Sequence, residues 1–438
     1  MARIYIKTYG CSHNMADSET MADYLARNGH EIIGLDEAVR TRKDKRDMFS
    51  EMDRADIIIF NTCTVKDPSE SKFFSSLERI NKPVVIAGCI PQSQEQDDWL
   101  KRWSAIGVDQ VHKIEEVVER TLRGEVAHEL SRTVQPFDRT FLPLTRKNDY
   151  VAIIPLLQGC LGTCAYCKTK SARGQLKSFP KESIVWQVRM AKAGGMREVW
   201  LVSEDNGGYG LDIGTDLPTL LEEMAGVGGG LKIRVGMINP HYVYRFRHEL
   251  ARLLKHDIFY KFLHIPLQSG SDKVLNEMNR PYTRDQFEES VKVLREEIPE
   301  ITIATDIICG YPTETEEDFE QTMALVRKHR FPVLNISKFY PRKGTLAAQL
   351  KPLPTKTIKE RSTKLSKYFS TLDPNKSYVG STVNVVIIER GHKKNTFLGR
   401  TGNYRQVVVE SDEDLVGKEV PVEITKTTRD DMRGYEKR

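Results

Sequence analysis

Three cysteines lie close together near the middle of the chain, in the segment Cys160-Leu-Gly-Thr-Cys164-Ala-Tyr-Cys167. This C-x3-C-x2-C spacing follows an apolar run at residues 152–157 that predicts a buried β-strand. Three thiolates can bind three irons of a [4Fe–4S] cluster and leave the fourth iron without a protein ligand. A zinc site is the competing interpretation, but structural zinc needs four ligands and no fourth cysteine or histidine lies nearby in the sequence. The spacing therefore favours a cluster whose open iron can bind a small molecule.

A second group of cysteines is spread over the first part of the chain. Each comes shortly after an apolar run that predicts a β-strand, and they are Cys11, Cys63 and Cys89. In an open α/β sheet, ligands bind at the carboxyl edge of the strands. One cysteine at such a position is usually an inert buried residue, but three at equivalent positions favour a second three-thiolate cluster site. We interpret the seventh cysteine, Cys309, as a buried apolar residue within a strand.

Composition narrows the class of protein. Seven cysteines are an odd number in a chain of 438 residues, so metal binding in the cytoplasm is a better interpretation than a secreted disulfide framework. No apolar run approaches the roughly 18–20 residues of a membrane span, and the chain begins directly with a strand-like segment instead of a signal peptide. The net charge of +5 permits an anionic partner without requiring one. We therefore expect a cytoplasmic monomer that does not bind membranes.

The pattern of strands and helices predicts an α/β chain in three domains. Residues 1–128 alternate short apolar strands with helices, which predicts a doubly wound α/β domain. Residues 129–375 contain six further strand–helix units, which predict an open (βα)6 barrel with its chemistry at the carboxyl ends of the strands. Residues 376–438 show four short β runs split by turn signals, which predict a small OB-like β-barrel. Such a barrel either binds nucleic acid or is purely structural.

Motifs along nearly the whole chain resemble those of the radical SAM methylthiotransferases. The segments YGC, NTC and AGC, which end at Cys11, Cys63 and Cys89, resemble the three motifs that hold an auxiliary [4Fe–4S] cluster in that family. The C-x3-C-x2-C segment matches the cluster that binds S-adenosylmethionine (SAM), and the C-terminal barrel is similar to the TRAM domain, an RNA-binding module. The resemblance implies two [4Fe–4S] clusters and SAM as cofactors.

Finer marks resemble the archaeal and eukaryotic subfamily. Lys-Thr-Lys follows Cys167 where the bacterial relatives usually carry proline, and the segments that begin at Trp200 and Asn335 add to the likeness. The resemblance implies conversion of N6-threonylcarbamoyladenosine, beside the anticodon of tRNA, to its 2-methylthio form. The implied partners are the tRNA anticodon stem-loop, an electron donor and a sulfur donor, and the sequence does not identify either donor.

Two other functions compete with this interpretation. The same chemistry could act on isopentenyladenosine in tRNA or on a ribosomal-protein aspartate. Alternatively, the chain could be an RNA-binding protein that carries a structural or redox-sensing cluster and performs no radical turnover. Release of 5′-deoxyadenosine from SAM would distinguish an enzyme from such a binding module.

Polar residues near the ends of the second and third barrel strands are candidates for binding SAM. Ser203, Glu204 and Asp205 end the second strand, where related enzymes contact the SAM amino group, although they could instead cap a helix. Arg234 in the third strand could bind the SAM carboxylate, because an arginine inside a barrel needs an anion. It could instead pair with Asp306 or Glu204.

Two residues at the ends of later strands complete the candidate cofactor site. Gln268 precedes Ser-Gly, and Gly310 ends the fifth barrel strand. Glycine at a strand end allows close approach of a ligand to the backbone, although glycines also simply form turns. The sequence assigns no catalytic residue.

The segment 342–367 is strongly basic. It contains eight lysines and arginines against the single acid Glu360, and it reads as helical from Thr357 onward. A basic helix that leads into an RNA-binding domain fits contact with phosphates. A solvated helix face is the more common explanation of charge alone.

Overall fold

The first part of the chain forms one parallel sheet with helices on both faces. A computed structural model describes residues 1–37, 50–64, 67–134 and 141–437. The sheet order is β2-β1-β3-β4-β5-β6. Its strands are β1 (Arg3–Tyr9), β2 (Glu31–Glu37), β3 (Ile57–Thr62), β4 (Val84–Gly88), β5 (Ser104–Ile106) and β6 (His128–Glu129). Helices of this part include α1 (Ser12–Arg27), α2 (Asp67–Leu77), α3 (Cys89–Ser93) and α4 (Ile114–Leu122).

Apolar residues on both faces of this sheet explain its continuous apolar strands. Ile57 and Ile59 of β3 pack in one hydrophobic core with α1 and α4. Ile58 and Phe60 pack in a second core on the opposite face. Because successive side chains of a strand point to opposite faces, a strand buried on both sides carries no polar alternation. The predicted doubly wound fold is confirmed.

The middle of the chain forms an open barrel of parallel strands. Two three-stranded sheets, β7-β10-β11 and β12-β13-β14, are joined by isolated bridges from Ile233 to Phe259 and from Met237 to His264. The strands are β7 (Val151–Pro155), β8 (Leu157–Gln158), β9 (Lys177–Ser178), β10 (Glu198–Val202), β11 (Lys232–Arg234), β12 (Phe262–His264), β13 (Thr302–Cys309) and β14 (Val333–Lys338), of which β8 and β9 form a small antiparallel pair. All six predicted barrel strands are present.

Helices cover the outside of this barrel. The described helices from this part of the chain are α5 (Thr169–Arg173), α6 (Lys181–Ala193), α7 (Leu217–Ala225), α8 (Pro240–Arg245), α9 (Arg247–Leu254), α10 (Asp272–Glu277), α11 (Arg284–Glu297), α12 (Glu316–His329) and α13 (Thr355–Ser370). Capping boxes at Thr283 and Thr315 fix where α11 and α12 begin. One hydrophobic core runs between the strands and these helices. Across the described residues, none of the helices could cross a bilayer, because each is too short or too polar.

The last part of the chain forms a closed five-stranded barrel in the order β15-β16-β17-β19-β18. Its strands are β15 (Thr382–Arg390), β16 (Thr396–Thr401), β17 (Gln406–Glu410), β18 (Glu419–Thr427) and β19 (Met432–Glu436). Four of the five match predicted β runs. The sequence did not predict β19, because its residues, MRGYE, show no apolar alternation.

The three parts pack so that the carboxyl end of the open barrel meets the first sheet. Helix α3, which directly follows β4 of the first sheet, packs against α5, which follows β7 and β8 of the open barrel. At the opposite end, Tyr404 of the small barrel packs against Tyr260 and Phe262 at the start of β12. The small barrel therefore closes the amino end of the open barrel, and the carboxyl ends of its strands face the N-terminal part.

Candidate active site

The middle cysteine triplet occupies the loop between β8 and α5. A Cβ added to Gly162 would lie 3.2 Å from the Sγ of Cys160 and 3.7 Å from the Sγ of Cys164, so these two thiols converge around the glycine. Backbone N–H groups donate to the sulfurs, from Gly162 to Cys160 at 3.2 Å and from Thr169 to Cys167 at 3.4 Å. Such N–H···S bonds stabilise thiolates and tune bound clusters.

The electrostatics of this loop fit a bound cluster. Burial, assisted by the charges of Asp205 and the neighbouring thiols, raises the pKa of Cys160 to about 12. Burial also raises the pKa of Cys167. Three thiolates at this position therefore need positive charge among them, which irons would supply. Across the described residues, no three His, Cys, Asp or Glu side chains are arranged to bind one metal ion. A cluster differs from a single ion because each of its thiolates binds a separate iron.

The N-terminal triplet gathers at the carboxyl edge of the first sheet. Cys11 caps the start of α1, Cys63 follows β3, and Cys89 is the first residue of α3, directly after β4. The strands β1, β3 and β4 are neighbours in the sheet, which brings the three residues to one place. All seven cysteines lie among the described residues, and none forms a disulfide.

One amide side chain holds the loops of this triplet together. Asn14 accepts a hydrogen bond from the Sγ of Cys11 at 3.4 Å, and its Nδ2 lies 3.9 Å from the Sγ of Cys89. The same Nδ2 donates to the backbone carbonyl of Thr62, next to Cys63, at 3.2 Å. Asn14 is completely buried. A single buried residue therefore sets the relative positions of all three cysteine-bearing loops.

Glycines before two of these cysteines are required by this packing. A Cβ on Gly10 would collide with the side chain of Asn14. Gly88 has a φ of +92°, and a Cβ there would lie 2.7 Å from the carbonyl oxygen of Thr62. Glycine is therefore needed at Gly10 to leave room for Asn14, and at Gly88 because the end of β3 approaches too closely for a side chain.

A buried charge network joins the two triplets. Arg173, the last residue of α5, donates to Asp17 at 2.8 Å and contacts Glu204 at 3.2 Å. Glu204 also lies 2.8 Å from the Nδ1 of His13. Burial raises the pKa of Glu204, but the contacts with His13 and Arg173 outweigh burial and hold that pKa below its usual value. The carboxylate of Glu204 thus faces the N-terminal part of the chain.

The helices that follow the two triplets are in direct contact. Helix α3, which begins at Cys89, packs against α5, which begins two residues after Cys167. Ala172 of α5 lies in one apolar cluster with Cys89. Both cysteine triplets therefore border the same region between the first sheet and the open barrel.

Comparison with known families gives three matches along the chain. Residues 3–106 match the uncharacterized protein family UPF0004, residues 154–326 match the radical SAM superfamily, and residues 376–435 match the TRAM domain. The chain is 43% identical to the threonylcarbamoyladenosine tRNA methylthiotransferase of Drosophila melanogaster, over 99% of this chain and 77% of that protein. It is 40% identical to the human protein of that name, over 99% of this chain and 73% of the relative.

The chain belongs to the threonylcarbamoyladenosine tRNA methylthiotransferase family. It is therefore a radical SAM enzyme that transfers a methylthio group, and the predicted cofactors, SAM and two [4Fe–4S] clusters, are confirmed. The radical SAM methyltransferase TsrM of Kitasatospora setae has a similar fold, with a TM-score of 0.55, 16% identity and coverage of 77% of this chain and 74% of that protein. The interpretation as a binding module without turnover is not supported.

In this radical SAM methylthiotransferase, an arginine that the sequence did not single out contacts the middle triplet. Arg280 donates from Nη1 to the Sγ of Cys164 at 3.1 Å, and its Nη2 bonds the Oδ1 of Asn239. Asn239 in turn donates its backbone N–H to Asp205 at 3.0 Å. Burial raises the pKa of Asp205, and hydrogen bonds from Asn239 oppose that rise. The candidate Asp205 is thus linked to the cysteine loop through two intermediate side chains.

The predicted SAM residue Arg234 lies at the opposite end of the barrel. Its guanidinium is 6.0 Å from the ring centre of Trp200, 5.4 Å from that of Phe262 and 5.5 Å from that of Tyr404. Five residues of extended chain separate it from Asn239, which corresponds to roughly 16 Å. The structure does not bring Arg234 together with the cysteine loop, and cation–π contacts account for its charge.

The acids proposed as alternative partners of Arg234 are occupied by other residues. Glu204 contacts His13 and Arg173, as described above. Asp306 accepts hydrogen bonds from the ring of His264 at 3.0 Å and from Asn335 at 2.7 Å. Asp306, His264 and Asn335 lie on the inner face of the barrel. Ile303 and Ile307 of β13 point into the outer core, and Asp306 points the opposite way because successive side chains of a strand alternate. The three polar residues form a lining that the sequence did not predict.

The remaining predicted residues lie near the carboxyl ends of barrel strands. Ser203 bonds the side chain of Asn206. Gln268 has a φ of +72°, and such backbone strain in a non-glycine residue is concentrated at ligand sites. Gly310 has a φ of +81°, and a Cβ there would lie 2.6 Å from Ile358 of α13, so helix packing explains this glycine. Contact of these residues with SAM stays a prediction.

Proposed function

We propose that this enzyme converts N6-threonylcarbamoyladenosine in tRNA to 2-methylthio-N6-threonylcarbamoyladenosine. The substrate is inferred from the names of relatives that are 40–43% identical over 99% of the chain. The structural observation that supports the reaction is the convergence of the two cysteine triplets through α3, α5 and the buried Arg173. A reaction that needs a radical and a held sulfur requires both groups beside one substrate atom.

The cysteines are assigned to the two clusters as follows in this proposal. Cys160, Cys164 and Cys167 hold the cluster that binds SAM, and Cys11, Cys63 and Cys89 hold the auxiliary cluster. When bound, these groups supply one-electron chemistry that can replace the unreactive C–H bond at carbon 2 of adenine with a C–S bond.

The protein's own residues position and shield this chemistry. Arg280 donates to the Sγ of Cys164, and Asn14 fixes the loops of Cys11 and Cys89. Tyr404 closes the floor of the barrel, which limits access of water from that end. We retain Ser203, Asp205 and Gln268 as the residues that contact SAM, because they lie near the carboxyl ends of barrel strands and Asp205 is linked to Cys164 through Asn239 and Arg280.

The proposal also covers the domain boundaries, the cellular location and the partners of the enzyme. We propose three domains at residues 1–128, 129–375 and 376–438; β6 (His128–Glu129) carries the first sheet one residue past the first boundary. We propose a cytoplasmic monomer that binds the anticodon stem-loop and receives electrons and sulfur from separate donors.

Mass spectrometry of nucleosides tests this function. The protein with both clusters reconstituted is incubated with SAM, a reductant, a sulfide source and tRNA that carries either threonylcarbamoyladenosine or isopentenyladenosine. We expect the 2-methylthio product only from the first tRNA. A product only from the second tRNA would establish the competing substrate. Release of 5′-deoxyadenosine without any methylthio nucleoside would point to a target other than tRNA.

A further inference from the structure

Most basic side chains of the segment 342–367 are bound to the protein itself. Arg342 donates to the carbonyl of Thr64 at 2.6 Å, and Lys343 lies 3.2 Å from Asp97. Three others pair with acids: Arg361 with Glu314, Lys364 with Glu320, and Lys356 with Glu360. Five of the eight basic side chains of the segment are thus compensated, which leaves Lys351, Lys359 and Lys367 without an ion pair among the described residues.

Two of the uncompensated lysines, one at the end of this segment and one just before it, lie close together. Lys367 of α13 and Lys338, the last residue of β14, are exposed, and neither forms an ion pair within the part of the chain that the structure describes. Helix α13 packs against β14, which brings both lysines to the same groove. Helix α13 thus has one face neutralised by α12 and another face with uncompensated positive charge.

The groove between β14 and α13 is lined by hydrogen-bond donors. Its volume is about 430 Å³. Its lining residues are Lys338, Ser362, Thr363, Ser366, Lys367 and Ser370. The hydroxyls of Ser362 and Ser370 donate to carbonyls of their own helix, at 3.1 Å and 2.7 Å. Those of Thr363 and Ser366 have no hydrogen-bond partner among the described residues, and no acid lines the groove. Two ammonium groups with nearby hydroxyls and no carboxylate match the oxygens of phosphate groups.

The groove lies on the outer face of the barrel, beside its edge strand β14. Asn335 of β14 faces the inside of the barrel, where it donates to Asp306. Lys338, three residues later, is on the outer face, because successive side chains of a strand alternate. Since β14 is the last strand of its sheet, a chain that enters the barrel beside β14 passes this groove.

We propose that this groove binds backbone phosphates of tRNA next to the adenosine that enters the barrel. The inference rests on the proposed function, because it requires a nucleotide in the barrel. An acidic electron-donor protein is the alternative occupant. The groove lies at the β14 edge, whereas the cysteine loop follows β7 at the opposite edge, so the groove is poorly placed for delivering electrons to that loop.

Salt-dependent binding of tRNA tests this proposal. The double variant Lys338→Gln/Lys367→Gln is compared with a matched control, Lys356→Gln/Lys292→Gln, which removes two exposed lysines that pair with acids on their own helices. The Kd of the cluster-loaded protein for tRNA is measured over a range of KCl concentrations. We expect the groove variant to bind about tenfold more weakly, with a slope of log K against log salt that is smaller by about 1.4, the value for two single-strand phosphate contacts.

Two further measurements complete the test. The KM for tRNA should rise in the groove variant, while release of 5′-deoxyadenosine without tRNA stays at the wild-type rate. A Kd and salt slope equal to those of the control would overturn the proposal. So would slower reduction by a protein electron donor at unchanged tRNA affinity. If the wild type binds tRNA but forms no methylthio product, the proposed function fails while the binding result still decides the groove.

Discussion

The Nη1 of Arg280 lies 3.1 Å from the Sγ of Cys164, in a contact between residues that are 116 positions apart. Arg280 is 8% exposed, and its guanidinium also packs over the ring of Tyr282 at 5.1 Å. A buried positive charge beside a cluster thiolate stabilises the more negative, reduced form of the cluster. If Cys164 holds a cluster, as proposed above, Arg280 would therefore favour the reduced form of that cluster.

Replacement of Arg280 by Gln should lower the reduction potential of the cluster at the middle triplet. Loss of one charge-assisted hydrogen bond, about 1.4 kcal/mol, corresponds to about 60 mV for one electron. Potentiometric titration followed by electron paramagnetic resonance measures this shift. Arg252→Gln, which removes an exposed arginine paired with Glu222, is the control. An unchanged potential at full iron content would show that Arg280 has only a structural role.

The two cysteine triplets should lose iron independently. Cys164→Ala is expected to remove about half of the iron and to abolish SAM cleavage. Cys63→Ala is expected to remove the other half, because its triplet belongs to a separate sheet, and to stop methylthiolation while SAM cleavage persists. Iron and sulfide analysis and 5′-deoxyadenosine release are the measurements.

Cys309→Ala is the control for both cysteine variants. Cys309 is fully buried in the hydrophobic core of the barrel, so its replacement should cost about 1 kcal/mol of stability and no iron. Full iron content in Cys63→Ala would contradict its assignment as a ligand and leave it as a core residue.

The sequence was sufficient to predict that the N-terminal cysteines converge, but it did not predict which side chains contact the cysteines. Strand-end positions of Cys11, Cys63 and Cys89 were enough, because neighbouring parallel strands end at one edge of a sheet. Arg280 was not predicted, since its contact with Cys164 depends on closure of the barrel over 116 residues and no local pattern marks it. A single sequence carries periodicity and spacing but little information on such long-range side-chain contacts.

The interpretation of Arg234 shows a related limit. An arginine inside a barrel was expected to need an anion, and SAM offered one. The structure supplies aromatic faces instead, including that of Tyr404 from the C-terminal barrel, 170 residues later in the chain. That contact exists only because the small barrel closes the floor of the open one, and nothing in the sequence near Arg234 indicates it.

Gly88→Ala should destabilise the N-terminal triplet more than a change at another left-handed glycine. Gly88 has a φ of +92°, and an added Cβ would meet the carbonyl of Thr62 at 2.7 Å. We expect a loss of about 3 kcal/mol and a lower iron content, because Cys89 would be displaced. Gly29→Ala is the matched control, since Gly29 has a φ of +83° and open space around it. It should cost about 1 kcal/mol and no iron. If urea denaturation shows the same loss of unfolding free energy in both variants, backbone strain alone would account for the effect at Gly88.

The stability of the barrel should depend on pH through His241. Burial and then the charge of Arg280 lower the pKa of His241 from 6.5 to about 4, and its buried Nδ1 has no hydrogen-bond partner among the described residues. The unfolded chain therefore binds a proton at higher pH than the folded chain does. Stability should fall as the pH decreases from 6.5 towards 4, by at most about 1.4 kcal/mol per pH unit.

His241→Gln should flatten this dependence, whereas His248→Gln, which changes an exposed histidine on the neighbouring helix, should leave it unchanged. Urea denaturation of the anaerobically purified protein between about pH 7.5 and about pH 5.5, roughly one unit on either side of the ordinary histidine pKa, measures the slopes. The same slope in all three proteins would mean that other groups control the acid sensitivity of the fold. A flatter slope only in His241→Gln would establish that a neutral imidazole packed beside Tyr242, with ring centres 3.8 Å apart, contributes to the stability of the barrel near the arginine that contacts Cys164.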